Sequence, residues 1–232
     1  SFTQDRHGFI WIGTKDGLNR FDSKTFQVFK TSETEPNSIC SNVLNYVYAE
    51  PDNDVIWIAT EKNGVDAYNY KTRVFKHYEH DYGNPETNDI SANGITHIDS
   101  DENGNIWFAT YDGGIDVFDR KTGLFTNFTI QNTPGLASNF NWCVLCDTDE
   151  RVYAGHVTEG FSIINPKTQT AKNYKHDPND PTSLPDNNVT CLFIDSKKQV
   201  WIGTRNRLAL FDPETGKMQN FFHDPNNPSS LS

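Results

Sequence analysis

The feature that most limits how this chain can fold is a short aromatic motif that occurs five times. Each copy has an apolar residue, an aromatic residue and a short run ending in Thr or His, as in Ile10-Trp11-Ile12-Gly13-Thr14. The copies are spaced by 46, 50, 46 and 48 residues, with the aromatic residue at Trp11, Trp57, Trp107, Tyr153 and Trp201. A period of this length indicates repeated units that bury their faces against one another, and it is too long for leucine-rich or ankyrin units.

Each motif is flanked by segments with the pattern of β-strands. A run with alternating apolar residues follows it, as in Gly114-Ile115-Asp116-Val117-Phe118, and another comes after a turn. The run before the motif has apolar residues three positions apart, so they fall on both faces. A sheet covered on both sides loses clean alternation, which favours stacked blades. The sequence therefore predicts an all-β fold, a β-propeller of four-stranded antiparallel blades with five blade repeats in this chain.

The repeats divide the propeller segment 1–232 into predicted blades at about 1–36, 37–86, 87–134, 135–181 and 182–232. The first copy has a short first strand, and the last residues, Ser229-Ser230-Leu231-Ser232, match the segments ahead of later blades. We interpret the chain as a piece of a continuing series. Two arrangements are compatible with this pattern: a closed ring of five blades, or part of a larger propeller of seven, which would need roughly 330 residues.

An acidic residue lies six positions before the aromatic residue in four copies: Asp5, Asp101, Asp147 and Asp195. The second copy has one extra residue in Glu50-Pro51-Asp52-Asn53-Asp54. We predict that these acids end the first strand of each blade at a turn. The stretch from Asp99 to Asn105 also resembles the opening of a calcium loop, but its twelfth position is Thr110 where such a loop needs Glu. We therefore predict a hairpin turn there and no metal site.

Composition and charge narrow the range of partners. The chain has 31 acidic and 20 basic residues, a net charge of −11, and no basic cluster that could neutralise phosphates. A nucleic-acid partner and an anionic membrane surface are therefore disfavoured. Four cysteines are too few for a disulfide scaffold, and Cys143-x-x-Cys146 lacks the second pair of a zinc site. No apolar run reaches the ~20 residues of a spanning helix, so contact with a membrane would come only through segments outside this chain.

The copies differ most in the loop that joins the second and third strands and at the start of the first strand. We expect these positions to share one rim of the propeller. Sugars are commonly held by aromatic faces and planar hydrogen-bonding groups, and arginine offers a rigid donor fork suited to carboxylate or sulfate. We therefore predict a ligand-binding rim, with no catalytic residue and no cofactor, formed by Lys15, Tyr111, Trp142, His156, Arg205 and Arg207.

Several segments resemble the two-component regulator propeller repeat. They are the run from Phe9 to Asp22, Val200-Trp201-Ile202-Gly203-Thr204, the linking motif 183–189 and its counterpart 225–232. The resemblance extends over essentially the whole chain. It implies the periplasmic sensor region of a hybrid two-component histidine kinase of the Bacteroidetes type, in which a membrane span and a kinase domain follow. It also implies an oligosaccharide from polysaccharide breakdown as the ligand, and a homodimer in the full-length protein.

Three functions are compatible with the sequence. The first is a non-catalytic sensor module, as the resemblance implies. The second is a propeller-type lyase similar to streptogramin or polysaccharide lyases, for which His156 and Tyr111 are the candidates for base and acid. The third is a structural scaffold that mediates dimerisation without a small ligand. Saturable oligosaccharide binding without turnover would distinguish the first from the other two.

Overall fold

The computed structural model describes residues 1–84, 87–147, 151–227, 230 and 231. Throughout this part of the chain the regular elements are β-strands, and no helix in it is long and apolar enough to cross a membrane. The strands are β1 (Phe2–Gln4), β2 (Ile10–Thr14), β3 (Gly17–Phe21), β4 (Phe26–Phe29), β5 (Leu44–Ala49), β6 (Val55–Thr60), β7 (Val65–Asn69), β8 (Val74–Tyr78), β9 (Ile95–Ser100), β10 (Ile106–Thr110), β11 (Ile115–Asp119), β12 (Leu124–Phe128), β13 (Asn141–Cys146), β14 (Val152–His156), β15 (Phe161–Asn165), β16 (Thr170–Tyr174), β17 (Val189–Ile194), β18 (Val200–Thr204), β19 (Leu208–Asp212) and β20 (Lys217–Phe221).

These strands form five antiparallel sheets of four strands each, and every sheet is a simple meander in chain order. We call them blade 1 (β1–β4), blade 2 (β5–β8), blade 3 (β9–β12), blade 4 (β13–β16) and blade 5 (β17–β20). Each blade lies within one of the five predicted repeat ranges. The predicted all-β propeller fold is confirmed.

The first strand of blades 2 to 5 has a bulge at the same place. The register with the second strand skips one residue, which is Asn45, Thr96, Trp142 and Thr190 in the four blades. In three of them this residue is polar and its side chain donates to a backbone carbonyl: Asn45 to Ile95, Thr96 to Ala109 and Thr190 to Gly203. A bulge re-aims a side chain out of the ladder. Blade 4 places a tryptophan at this position.

The chain divides into two compact units, Ser1–Asn127 and Phe128–Ser232. In the first unit, Trp11 and Trp57 each pack against the next blade. Trp11 lies in a cluster with Leu44 and Tyr68 of blade 2, with its ring centroid 5.9 Å from that of Tyr68. Trp57 lies in a second cluster with Phe108 of blade 3, at 5.4 Å. These clusters cover both faces of blade 2, as the pattern of its first strand predicted.

The second unit repeats this packing between blades 4 and 5. Tyr153 is fully buried and lies with Phe161 of its own blade and Phe211 of blade 5 in one apolar cluster. Its ring meets that of Phe211 edge-on at 6.4 Å. Cys143 also belongs to this cluster, and Cys146 lies half-buried on the same strand. A Tyr in place of Trp therefore keeps the same packing role.

A hydrogen bond to the acidic turn residue anchors each of these aromatic side chains. Trp11 donates to Asp5 at 2.8 Å, Trp57 to Glu50 at 2.6 Å and Trp107 to Asp101 at 3.1 Å. The Tyr153 hydroxyl donates to Asp147 at 3.2 Å, and Trp201 to Asp195 at 3.0 Å. In three copies the other carboxylate oxygen accepts two backbone N–H groups of the turn itself. One carboxylate thus closes the turn and satisfies an indole N–H at the core.

Replacement of this carboxylate is expected to destabilise the blade. Asp101→Ala removes the acceptor for the Trp107 N–H and for the backbone N–H groups of Asn103 and Asn105. Leaving such donors without a partner costs about 1–3 kcal/mol, so the urea midpoint should fall. Glu102→Ala is the matched control, because Glu102 is the next residue in the turn and is exposed. Equal midpoints for the two variants would contradict this role of Asp101.

Candidate ligand-binding rim

The loop between the second and third strands lies beside the start of the first strand in blades 2 to 5. The loop N–H of Glu61, Tyr111, Val157 and Arg205 donates to the carbonyl of Val43, Gly94, Phe140 and Asn188, at 2.8–3.1 Å. We call this end of each blade the loop rim, formed by loop residues 15–16, 61–64, 111–114, 157–160 and 205–207 and by strand starts 43–45, 94–96, 140–142 and 188–190. Loops and strand starts are thus adjacent in each of these blades.

In the first unit, Lys15 and Tyr111 both lie on the loop rim. The Lys15 ammonium donates to the Asn45 side chain at 3.0 Å and lies 3.8 Å from a Glu61 carboxylate oxygen. The tyrosine side chain is 47% exposed. Gly94 packs closely against both Glu61 and Tyr111. A Cβ atom added to Gly94 would lie 3.2 Å from the Glu61 carbonyl oxygen and 3.4 Å from Tyr111 Cβ. Glu61 is therefore close to Lys15, Glu61 and Tyr111 both lie against Gly94, and Lys15 already has two polar contacts.

In the second unit, Trp142 occupies the bulge at the start of β13 and is 37% exposed. Phe140, two residues before it, is 50% exposed. The sequence analysis did not single out Phe140. The signal that could have found it is its place in the repeat, because the equivalent residues are the small or polar Val43, Gly94 and Asn188. Two large apolar side chains thus meet solvent at one end of blade 4.

Arg205 and Arg207 are exposed in the loop of blade 5. Within the described part of the chain, neither guanidinium has a carboxylate within 4.0 Å. The Arg207 guanidinium lies 5.9 Å from the centroid of the Phe222 ring. Between the two arginines, the Asn206 side chain donates to Asp186 at 2.9 Å and so ties the loop to the segment before β17. This loop therefore presents two cationic side chains, and the hydrogen bond of Asn206 anchors its backbone.

His156 does not face solvent, which corrects the expectation that it contacts a ligand at the rim. Its side chain is fully buried, with Nδ1 2.8 Å from Asn141 Oδ1 and Nε2 2.7 Å from Ser162 Oγ. A neutral imidazole makes both contacts, since one nitrogen donates and the other accepts. Burial lowers the pKa of His156 to about 4, so the ring is neutral at physiological pH. Its role is to hold Asn141, the residue next to Trp142.

The reason for this burial is the position that His156 occupies in the repeat. The other four copies have threonine there, and each threonine hydroxyl points back into the blade to bond a loop carbonyl at 2.8–2.9 Å. A side chain at this position is therefore directed inward in every copy. The histidine follows the same direction and reaches further, to Ser162 on β15.

Other buried polar groups were missed by sequence reasoning. Asp66 and Asp116 are fully buried on the third strands of blades 2 and 3. Burial raises the pKa of Asp116 to about 6, although Ser91 and Asn127 donate hydrogen bonds to it. The signal was present as one acidic residue in an otherwise apolar strand, Val65-Asp66-Ala67 and Ile115-Asp116-Val117. An acid in that setting needs dedicated partners.

Two clefts lie away from the predicted site residues. One, of about 480 Å³, runs along blade 5 beside Leu210 and Met218. The other, of about 270 Å³, lies among the turn acids of blades 2 and 3, with Arg120 bonded to Glu50 at 2.5 Å. Asp101 lines this second cleft, where its carboxylate accepts hydrogen bonds from the Trp107 indole and from the Asn103 N–H of the same turn. These bonds are those of the hairpin turn predicted here.

The repeated meanders, the packed aromatic faces and the loop rim define a protein of the β-propeller repeat class. A family model described as the two component regulator propeller matches residues 89–112 and 183–206. These residues contain the aromatic motifs of blades 3 and 5 together with their linking segments. The resemblance to the two-component regulator propeller repeat, which the motifs predicted, is confirmed in these two segments.

Related proteins are considerably longer than this chain. It is 36% identical to the extracellular domain of the hybrid two-component system BT3049 from B. thetaiotaomicron, with a TM-score of 0.84, over 94% of this chain and 29% of that one. It is 24% identical to the extracellular domain of the one-component system BT4673 from the same organism, with a TM-score of 0.77. That match covers 96% of this chain and 31% of the other. Histidine kinase P4 of Formosa agariphila is 44% identical over 36 residues, 16% of this chain and 3% of that protein.

The buried histidine makes the stability of the second unit depend on pH. The folded pKa of His156 lies below the unfolded value of 6.5, so the contribution is complete above pH 6.5 and is lost as pH falls toward 4. His156→Thr installs the residue of the other four copies. The wild type should be more stable near neutral pH, and this advantage should shrink by up to about 3 kcal/mol on acidification.

The measurement is the urea midpoint of both proteins between about pH 7 and pH 4.5. Carboxylates that titrate in both proteins cancel in the difference between them. Parallel curves for the wild type and His156→Thr would contradict the assignment of a buried neutral histidine.

Proposed function

We propose that this chain is a non-catalytic ligand-recognition module of a two-component sensor, located outside the cytoplasm. The observation that carries the proposal is its 36% identity, over 94% of its length, to the extracellular domain of a hybrid two-component system. In that arrangement, a kinase and a membrane span belong to other segments of the polypeptide. Ligand binding would alter the packing of propellers in a homodimer, and the chain itself would perform no chemistry.

We propose an oligosaccharide as the ligand, bound at the loop rim of the second unit. The support comes from the side chains there. Trp142 and Phe140 offer apolar ring surface, and Arg205 and Arg207 offer planar donor forks. The C–H faces of a sugar can stack on the aromatic rings, and carboxylate or sulfate groups can accept hydrogen bonds from the arginines. The chain has a net charge of −11, which repels anions overall, and the local pair of arginines would offset this and give the rim a preference for acidic sugars.

The buried His156 argues against the lyase alternative. A lyase needs a general base within hydrogen-bonding reach of its substrate. Both nitrogens of His156 are engaged inside blade 4, and the low pKa of about 4 reflects its burial and not contact with a substrate. The histidine that sequence reasoning nominated as base is therefore out of reach of a ligand at the rim.

The test is calorimetric titration of the chain with a panel of neutral, uronate-bearing and sulfated oligosaccharides. Each mixture is then analysed by chromatography for products. Saturable binding with the sugar recovered intact would support the sensor function. Unsaturated products would identify a lyase and overturn the proposal. No binding across the panel would overturn the oligosaccharide proposal and favour the dimerisation scaffold, whose signature is self-association on dilution.

Trp142→Ala is expected to weaken binding of the tightest oligosaccharide in the panel by about tenfold, because one ring face is worth about 1 kcal/mol or more. Phe193→Ala is the matched control. Phe193 is an exposed aromatic residue of the same unit, but it lies near the opposite end of its strand, paired with Trp201. Equal affinities of the two variants would place the ligand elsewhere.

Arg205→Gln with Arg207→Gln tests the preference for acidic sugars. The double variant should lose affinity for uronate-bearing and sulfated members by about tenfold or more, and affinity for neutral members should change little. Lys197→Gln with Lys198→Gln is the control, since these cations lie in the turn at the other end of blade 5. An equal loss for neutral and acidic sugars would contradict a charge-specific role.

A further inference from the structure

Three potential metal ligands meet in blade 2. They are Cys40 in the segment before β5, Asp66 on β7 and His77 on β8. The thiol sulfur, a carboxylate oxygen and a ring nitrogen lie within 4.8 Å of one another. Asp66 and His77 are direct partners in the β7–β8 register, with Oδ1 and Nδ1 2.6 Å apart. None of the three belongs to the predicted ligand-binding residues.

The fold holds each of these residues at a defined place. The Cys40 N–H donates to Asp66 Oδ2 at 2.8 Å, and its thiol donates to the Asn63 carbonyl at 3.2 Å. The segment before β5 is held against β8 through Asn37, which donates to the Arg73 carbonyl and accepts from the Phe75 N–H. The cysteine is therefore fixed over the β7–β8 pair by hydrogen bonds that do not involve its sulfur.

The donor set and its access suit a transition-metal ion. A thiolate, an imidazole and a carboxylate are the ligands that zinc takes in proteins, and around one tetrahedral ion they lie about 3–4 Å apart. Asp66 is fully buried, Cys40 is half-buried and the His77 side chain is 41% exposed. The site thus has a buried anionic anchor and a mouth open to solvent, where water can complete the coordination.

Blade 3 shows that the fold does not require these residue types. Its equivalent positions are Ser91, Asp116 and Asn127, and they make the same bonds. The Ser91 N–H donates to Asp116 Oδ2 at 2.9 Å, and the Asn127 side chain donates to Asp116 Oδ1 at 2.7 Å. A hydroxyl and an amide are enough to support the buried acid. In blade 2 both neutral partners are replaced by metal-binding side chains around the same carboxylate.

We infer that Cys40, Asp66 and His77 form a binding site for one zinc-type divalent ion, with a fourth position open to water. The ion takes the place of the hydrogen between Asp66 Oδ1 and His77 Nδ1, and the neutral imidazole then carries its one hydrogen on Nε2. The thiol releases its proton to solvent when it coordinates. The Cys40 N–H keeps its bond to the second carboxylate oxygen and orients it. A bound ion ties the segment before β5 to the third and fourth strands of its own blade.

The test uses Zn²⁺ alone in calorimetry and Co²⁺ as an optical probe, with a reducing agent that does not bind metal. The wild type should bind one ion per chain, and its Co²⁺ form should show a thiolate charge-transfer band. Cys40→Ser with His77→Asn converts blade 2 to the pattern of blade 3. It should fold normally, lose the band and bind at least about 100-fold more weakly.

Two further variants make the test specific. Cys191→Ser removes an exposed cysteine elsewhere and should leave both measurements unchanged. Ser91→Cys with Asn127→His builds the same ligand set in blade 3 and should raise the stoichiometry to two ions. An absence of binding by the wild type, or equal binding by Cys40→Ser with His77→Asn, would overturn the proposal. Failure of blade 3 to gain a site would refute the view that these three positions suffice.

Discussion

The structure depends on one hydrogen bond, from the aromatic residue of each motif to the acid at the preceding turn. An indole N–H carried into an apolar cluster needs an acceptor, and the carboxylate reaches it from the end of the first strand. The copies vary while this bond is kept. Tyr153 donates through its hydroxyl, and Glu50 is longer by one methylene where its turn has one more residue. The turn end of the blade is thereby fixed, and sequence variation is concentrated at the loop rim.

This arrangement explains how much the sequence could predict. The period and the alternating runs specify the twenty strands found in the described residues, because each copy repeats the same pairing and the same turn acid. They also place the loops beside the strand starts, since equivalent positions in a repeat have equivalent neighbours. The direction of a single side chain is not specified in this way. His156 looked like a loop residue, but comparison with its threonine counterparts shows a position that points inward.

The cluster of Cys40, Asp66 and His77 could not be found from spacing. Its members are 26 and 11 residues apart and match no metal-binding motif. The register of β7 with β8 brings the acid and the histidine together, and the hydrogen bonds of Asn37 bring the cysteine over them. Strand pairing is needed to see such a site. Comparison among the blades then shows which of its residues the fold itself requires.

The buried polar contacts of blade 4 bear on how the loop rim could work. From Asn141, beside Trp142, they pass through His156 to Ser162, at 2.8 and 2.7 Å. They therefore join the first three strands of the blade beneath the exposed tryptophan. Buried polar groups that are all hydrogen-bonded resist displacement, because moving one of them leaves the others without hydrogen-bond partners. The tryptophan is thus held on a rigid base, and a ligand that stacks on it has less ordering cost to meet. For the sensor function proposed above, rigid blades imply that a signal would leave as a movement between packed bodies, since the interior of a blade has little freedom to change.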